Sequence, residues 1–106
     1  MEISEQIIRE IVDRIRRVSV PERIILFGSA ATGTMTESSD IDLLVLESGA
    51  INTRREAVKI QRVLRGLRMD FDVVVMHTAS YERRQKHFGG ISYPAKRYGK
   101  ELYVAA

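Results

Sequence analysis

The stretch from Leu26 to Val45, LFGSAATGTMTESSDIDLLV, carries most of what this sequence says about fold and chemistry. An apolar run stops at Gly28 and Ser29, ten mostly small or polar residues follow, and Asp40 and Asp42 then stand at the head of a second apolar run. Residues two apart in a strand point to the same side, so Asp40 and Asp42 project together with alpha carbons roughly 6.5 Å apart. Ile41 points the other way, into a core. Two carboxylates held this close repel each other, and their ionised forms become favourable when a divalent cation sits between them. Oxygen donors suit magnesium or manganese, and no His or Cys stands beside them to favour zinc. At the other end of the stretch, a glycine that ends a buried strand lets the chain turn sharply and lets a ligand approach the backbone. A short helix over Ser29–Thr32 would present free N–H groups to an anion beside the Ser29 hydroxyl. Gly33 would then end that helix.

The remaining elements follow from periodicity. Ile7, Ile8, Ile11, Ile15 and Val18 recur at helical spacing and predict a helix from Ser4 to Val18, with Ser4 as its N-cap. Arg14, Arg16 and Arg17 suit the negative end of its dipole, and Pro21 disfavours helix at the residue before it. Arg23 to Phe27 and Asp40 to Leu46 read as strands. Thr53 to Leu67 reads as a second long helix, with Ala57, Ile60, Leu64 and Leu67 on one face and Arg54, Arg55, Lys59, Arg62 and Arg65 on the other. Phe71 to Met76 is a third strand and Thr78 to Phe88 a polar helix. One helical turn is expected within YPAKRYG and a last short strand at ELYV. The expected fold is α+β: a mixed sheet with helices packed on one face, in two layers.

With 106 residues the chain is expected to form a single domain over 1–106. Such a chain buries roughly 60–70% of the surface its unfolded form exposes, enough for one modest core. It is 44% hydrophobic and 29% charged, a soluble globular composition. There is no cysteine, so disulfides and thiolate metal sites are excluded and packing alone must hold the fold, which fits a reducing cytoplasm. No apolar run approaches the roughly 20 residues of a membrane span, and the acidic start MEISEQ is not a signal peptide. A formal charge of +3 is too small by itself to imply nucleic acid.

The third strand repeats the acidic pattern with Asp70 and Asp72. If it neighbours the second strand, Asp72 joins Asp40 and Asp42 in one acidic cluster. Three carboxylates can hold two metal ions about 3.5–4 Å apart, clamping both oxygens of an in-line phosphoryl displacement. A carboxylate not fully used by metal can take the proton of an attacking hydroxyl. Aspartates at strand starts also serve as turn residues and edge charges, and Gly-Ser after a strand is by itself only a turn. The pairing of the two at this spacing is more specific than either. His77, His87 and the basic helix face read as ordinary surface features.

The run FGS, ten residues, then DID, with Asp72 opening a later strand and the ending ISYPAKRYGKELYV, resembles the minimal nucleotidyltransferases of the DNA polymerase beta superfamily. The resemblance covers nearly the whole chain. It implies that Asp40, Asp42 and Asp72 hold magnesium or manganese carrying ATP, and that Gly28 and Ser29 hold the beta and gamma phosphates. Asp72 would assist an acceptor hydroxyl in attacking the alpha phosphorus. Family members this small are often encoded beside a helical HEPN protein, as antitoxin and toxin, so the resemblance implies a HEPN partner, transfer of AMP to its tyrosine, and a cytoplasmic protein. Two alternatives stand beside this: a module that neutralises the partner by contact alone, and a small-molecule (antibiotic) transferase. Self-association is compatible with apolar strands in so small a domain, and direct nucleic-acid binding is not expected. Thr32 occupies a position where the family usually has arginine, so Arg54, Arg55 or the partner would have to supply that charge.

Overall fold

Ser4 caps the first helix: its Oγ accepts from the Ile7 N–H at 3.2 Å, and helix α1 runs Glu5–Val18. These and the following features come from a computed structural model that describes residues 3–33, 36, 39–84 and 99–106. Strand β1 is Arg23–Phe27 and leads through Gly28 into the four-residue helix α2, Ser29–Thr32. Strand β2 is Ile41–Glu47. Helix α3, Thr53–Leu64, begins where the Asn52 side chain accepts from the Arg55 N–H at 3.1 Å. Strand β3 is Phe71–His77, helix α4 is Thr78–Arg84 and strand β4 is Lys100–Val104. The expected end of the fourth helix at Phe88 and the turn within YPAKRYG lie outside the described residues, apart from Gly99.

The four strands form one sheet in the order β3-β2-β1-β4. β1 pairs antiparallel with β2 and β4, while β2 and β3 run parallel. A parallel neighbour needs a crossover, which α3 supplies. This is the mixed α+β sheet that the element order predicted.

The sheet's alternation sorts its side chains onto two faces. Ile41, Leu43 and Val45 of β2 pack with Ile24, Leu26 and Val75 beneath Ile11 and Ile15 of α1 and Ile60 and Leu64 of α3. Each fully buried aliphatic side chain here contributes roughly 1.5–3 kcal/mol. The opposite face gathers Ile25, Leu44, Leu46 and Met76 with Tyr81 of α4. β2 is thus buried on both sides, which explains its nearly unbroken apolar run.

The predicted helix to Leu67 ends earlier as α-helix, and a 3-10 turn covers Arg65–Leu67. The cause is tertiary. Arg14 of α1 donates from Nη1 to the Val63 carbonyl at 3.0 Å and from Nε to Glu10 at 2.8 Å. A Cβ at Gly66 would lie 2.6 Å from that Nη1, so a side chain there would displace the end of the Arg14 side chain. At the far end of β2 the Glu47 residue is 3% exposed, and among the described residues its Oε2 has no hydrogen-bond partner. Burial, and then its hydrogen bond with Glu56, push its pKa up to about 7. Lys59 pairs with Glu56 at 2.7 Å.

Candidate active site

β1 ends one residue before Gly28, and Phe27 is paired with Asp42 across the antiparallel ladder. Gly28 therefore lies directly against the Asp42 side chain. Its φ of 69° and ψ of −152° fall in a region reserved for glycine. A Cβ there would sit 2.2 Å from Asp42 Oδ2, so any side chain at this turn must push the Asp42 carboxylate aside. The short helix over Ser29–Thr32 forms as its sequence suggested, and Gly33 ends it in the left-handed conformation with its N–H on the Ser29 carbonyl. Ala31 and Thr32 return their N–H groups to the Gly28 carbonyl at 3.1 and 3.3 Å. The first N–H groups of any helix lack intrahelical acceptors, so those of this turn are presented next to Asp42. Ser29 is half-buried at that turn.

Asp42 and Asp72 are direct partners in the parallel register of β2 and β3. Both face away from α1 and α3, on the side of Leu44 and Met76. Asp40 lies one residue before β2, and the Ile41 N–H bonds the Asp70 carbonyl at 2.8 Å, which locks the two strand starts together. Asp42 is half-buried, while Asp40 and Asp72 are exposed. Burial raises the Asp42 pKa above the ordinary carboxylate value, and the charges of Asp72 and then Asp40 raise it further. The three predicted acids are therefore electrostatically coupled. Among the described residues, no three carboxylate or imidazole groups are gathered into a ready-made metal cage. The chemistry of these side chains, oxygen donors of one sign with a cost of ionisation at Asp42, suits a hard divalent cation.

Beside Asp40 opens a cleft of about 520 Å³, lined by Gln61 and Arg65 near the end of α3, Arg68, and Met69 to Phe71 at the start of β3. It touches the acidic group only through Asp40 and does not cover Asp42 or Asp72. The sequence pattern places Arg65 on the basic face of the second long helix, read as an ordinary surface feature, and carries no signal for Arg68. Arg54 and Arg55, the candidates to replace a charge at Thr32, lie at the other end of the molecule. α3 starts after β2 has ended, and Arg55 acts on Glu56, which meets Glu47 at the last residue of β2. The aspartates are at its first residues.

The nucleotidyltransferase domain family model matches residues 6–100, and the chain belongs to that family. Among solved structures it is similar to a toxin-antitoxin complex with AMP-PNP, at 25% identity and a TM-score of 0.70, covering 92% of this chain and 73% of that one. It also shares the fold of a complex from Shewanella oneidensis between a tri-AMPylated HEPN toxin and its MNT antitoxin, at 22% identity and a TM-score of 0.59, covering 96% and 74%. A search of curated protein sequences finds no match. Among the described residues no helix is long and apolar enough to cross a membrane.

Proposed function

We propose that this chain is a metal-dependent nucleotidyltransferase that moves AMP from ATP to a hydroxyl, a tyrosine, of a HEPN-type partner protein, and that it acts as the antitoxin of such a pair. The observation that carries this reading is the contact of Gly28 with Asp42, itself paired in register with Asp72. A turn suited to phosphates and a pair of strand-borne carboxylates thereby meet at one end of the sheet. The family match supports nucleotidyl transfer, and the similar complex with AMP-PNP supports an adenine nucleotide and a toxin partner.

In this reading Asp40, Asp42 and Asp72 would hold magnesium or manganese, which would neutralise charge on the phosphates. Gly28 and Ser29 take the beta and gamma phosphates through the backbone of the turn and the Ser29 hydroxyl. The leaving pyrophosphate then lies on the β1 side of Asp42, and in-line displacement requires the acceptor to arrive from the β3 side. Asp72 stands on that side and takes the acceptor's proton. The acceptor oxygen bonds to the alpha phosphorus as the bond to the pyrophosphate oxygen breaks. The protein's own contribution is positioning and charge placement, the main catalytic resources in phosphoryl transfer.

A second reading, neutralisation by contact alone, is favoured by one observation: α2 carries no basic residue, and Thr32 directs its hydroxyl back to the Gly28 and Ser29 carbonyls at 3.4 Å. Incubation with alpha-labelled ATP, magnesium and the protein encoded beside it tests both. Label on the partner that disappears with Asp42→Asn supports transfer. Protection of cells by an Asp40→Asn, Asp42→Asn double variant with no label transferred by the wild type supports contact alone.

A further inference from the structure

We propose that the cleft beside Asp40 is an acceptor subsite in which Arg65 and Arg68 hold an acidic residue of the incoming polypeptide. This rests on the transferase reading for its role but not for its binding chemistry. The cleft is lined by Arg65 and Arg68 together with Asp40 and Asp70, and by Met69, which is 38% exposed. Among the described residues neither guanidinium has an ion pair or a side-chain hydrogen bond, whereas Arg9, Arg14 and Arg23 all pair with glutamates. Gln61, also in the lining, is anchored by donating to the Phe71 carbonyl at 2.7 Å.

Arg68 has φ 56° and ψ 34°, the only non-glycine residue at positive φ among those described. Glycine or asparagine ordinarily fills such a position. An arginine held there, with no ion pair or side-chain hydrogen bond among the described residues, points to a role outside the fold.

The cleft also lies on the correct flank. It opens at the start of β3, across β2 from Gly28 and Ser29, where the leaving pyrophosphate is placed. The lining suits a segment that presents a carboxylate to Arg65 and Arg68 and a nearby hydroxyl to Asp40. Planar guanidinium groups grip carboxylates bidentately, which sets orientation as well as affinity.

The test uses the full chain without nucleotide and a fluorescein-labelled peptide with one tyrosine flanked by two glutamates. A glutamine-flanked peptide is the reference, and anisotropy is read at low and moderate salt. The glutamate peptide is expected to bind at least tenfold tighter than the reference, and an Arg65→Glu, Arg68→Glu double variant is expected to lose that preference. An Arg65→Gln, Arg68→Gln pair, which removes charge without reversing it, gives the same reading if the first variant does not fold. The charge-matched Arg54→Glu, Arg55→Glu variant at the far end of α3 should keep the preference. No preference in the wild type, or equal loss in both glutamate variants, overturns the proposal as diffuse charge. Weakened ATP-analogue binding in Arg65→Glu, Arg68→Glu, with the peptide preference intact, overturns it in favour of a nucleotide phosphate site. Peptide selectivity in a wild-type protein that transfers no label would sink the transferase reading and leave the subsite standing.

Discussion

Replacing Gly28 by alanine separates backbone strain from displacement of Asp42, provided Gly33→Ala is made beside it. Both glycines have positive φ, 69° and 78°. Among the described residues an alanine at Gly33 meets nothing within 4 Å, so it carries only the left-handed penalty of about 1–2 kcal/mol. At Gly28 the conformation is the glycine-only one, costing about 1–3 kcal/mol. There the new methyl also lies 2.2 Å from Asp42 Oδ2 and 3.2 Å from its Cγ. A carbon–oxygen contact relaxes to about 3.3 Å, so the carboxylate must retreat by about 1 Å. A shift of about that size at a reacting centre costs on the order of 100-fold in rate. Urea denaturation should therefore show both variants destabilised by a kilocalorie or more. Transfer of label from alpha-labelled ATP should fall about 100-fold in Gly28→Ala and stay within a few-fold of wild type in Gly33→Ala. Equal activity losses in the two variants, or a Gly28→Ala protein with more than half the wild-type rate, would refute the steric argument.

Three further outcomes follow from the packing and charges. The Glu47 carboxyl is raised from 4.5 to about 7 in the folded protein, so between those values the fold retains a proton the unfolded chain has lost. Stability then falls as pH rises through that window, by about 3 kcal/mol at about 1.4 kcal/mol per unit. Glu47→Gln should flatten the slope in urea melts at pH 5 and 8, and a wild-type midpoint unchanged between them would count against it. Glu56 is shifted downward, and its contribution of opposite sign is confined to pH below 4.5. In an Asp72→Asn variant the Asp42 carboxyl should titrate lower by carbon NMR yet stay above the ordinary value, because burial is the larger cause; a full return to normal would show that charge dominates. Ile60→Ala, at a fully buried position, should cost about 2–5 kcal/mol, and Val58→Ala, 44% exposed, less than about 0.5. Similar losses in the two would mean that α3 is not seated as described.

Most elements were legible because they rest on local physics. The Ser4 cap, the helical spacing of Ile11 and Ile15, the strand at Arg23–Phe27 and the short helix after Gly28 all formed where the pattern put them. The end of α3 did not, because Arg14, 49 residues away along the chain, claims the Val63 carbonyl. The buried Glu47 gave no warning in a sequence where glutamate is ordinarily exposed.

By itself the sequence determined the elements and the spacing that sets a glycine turn ten residues before two aspartates, since backbone preference and side-chain period act between near neighbours. Only the tertiary structure decided that Asp72 stands in register with Asp42, that Gly28 touches Asp42, and that Arg65 and Arg68 rather than Arg54 and Arg55 share an end with the acids. Strand register and helix direction are settled by how the apolar faces of distant segments fit together, and that fit is not written in any local stretch.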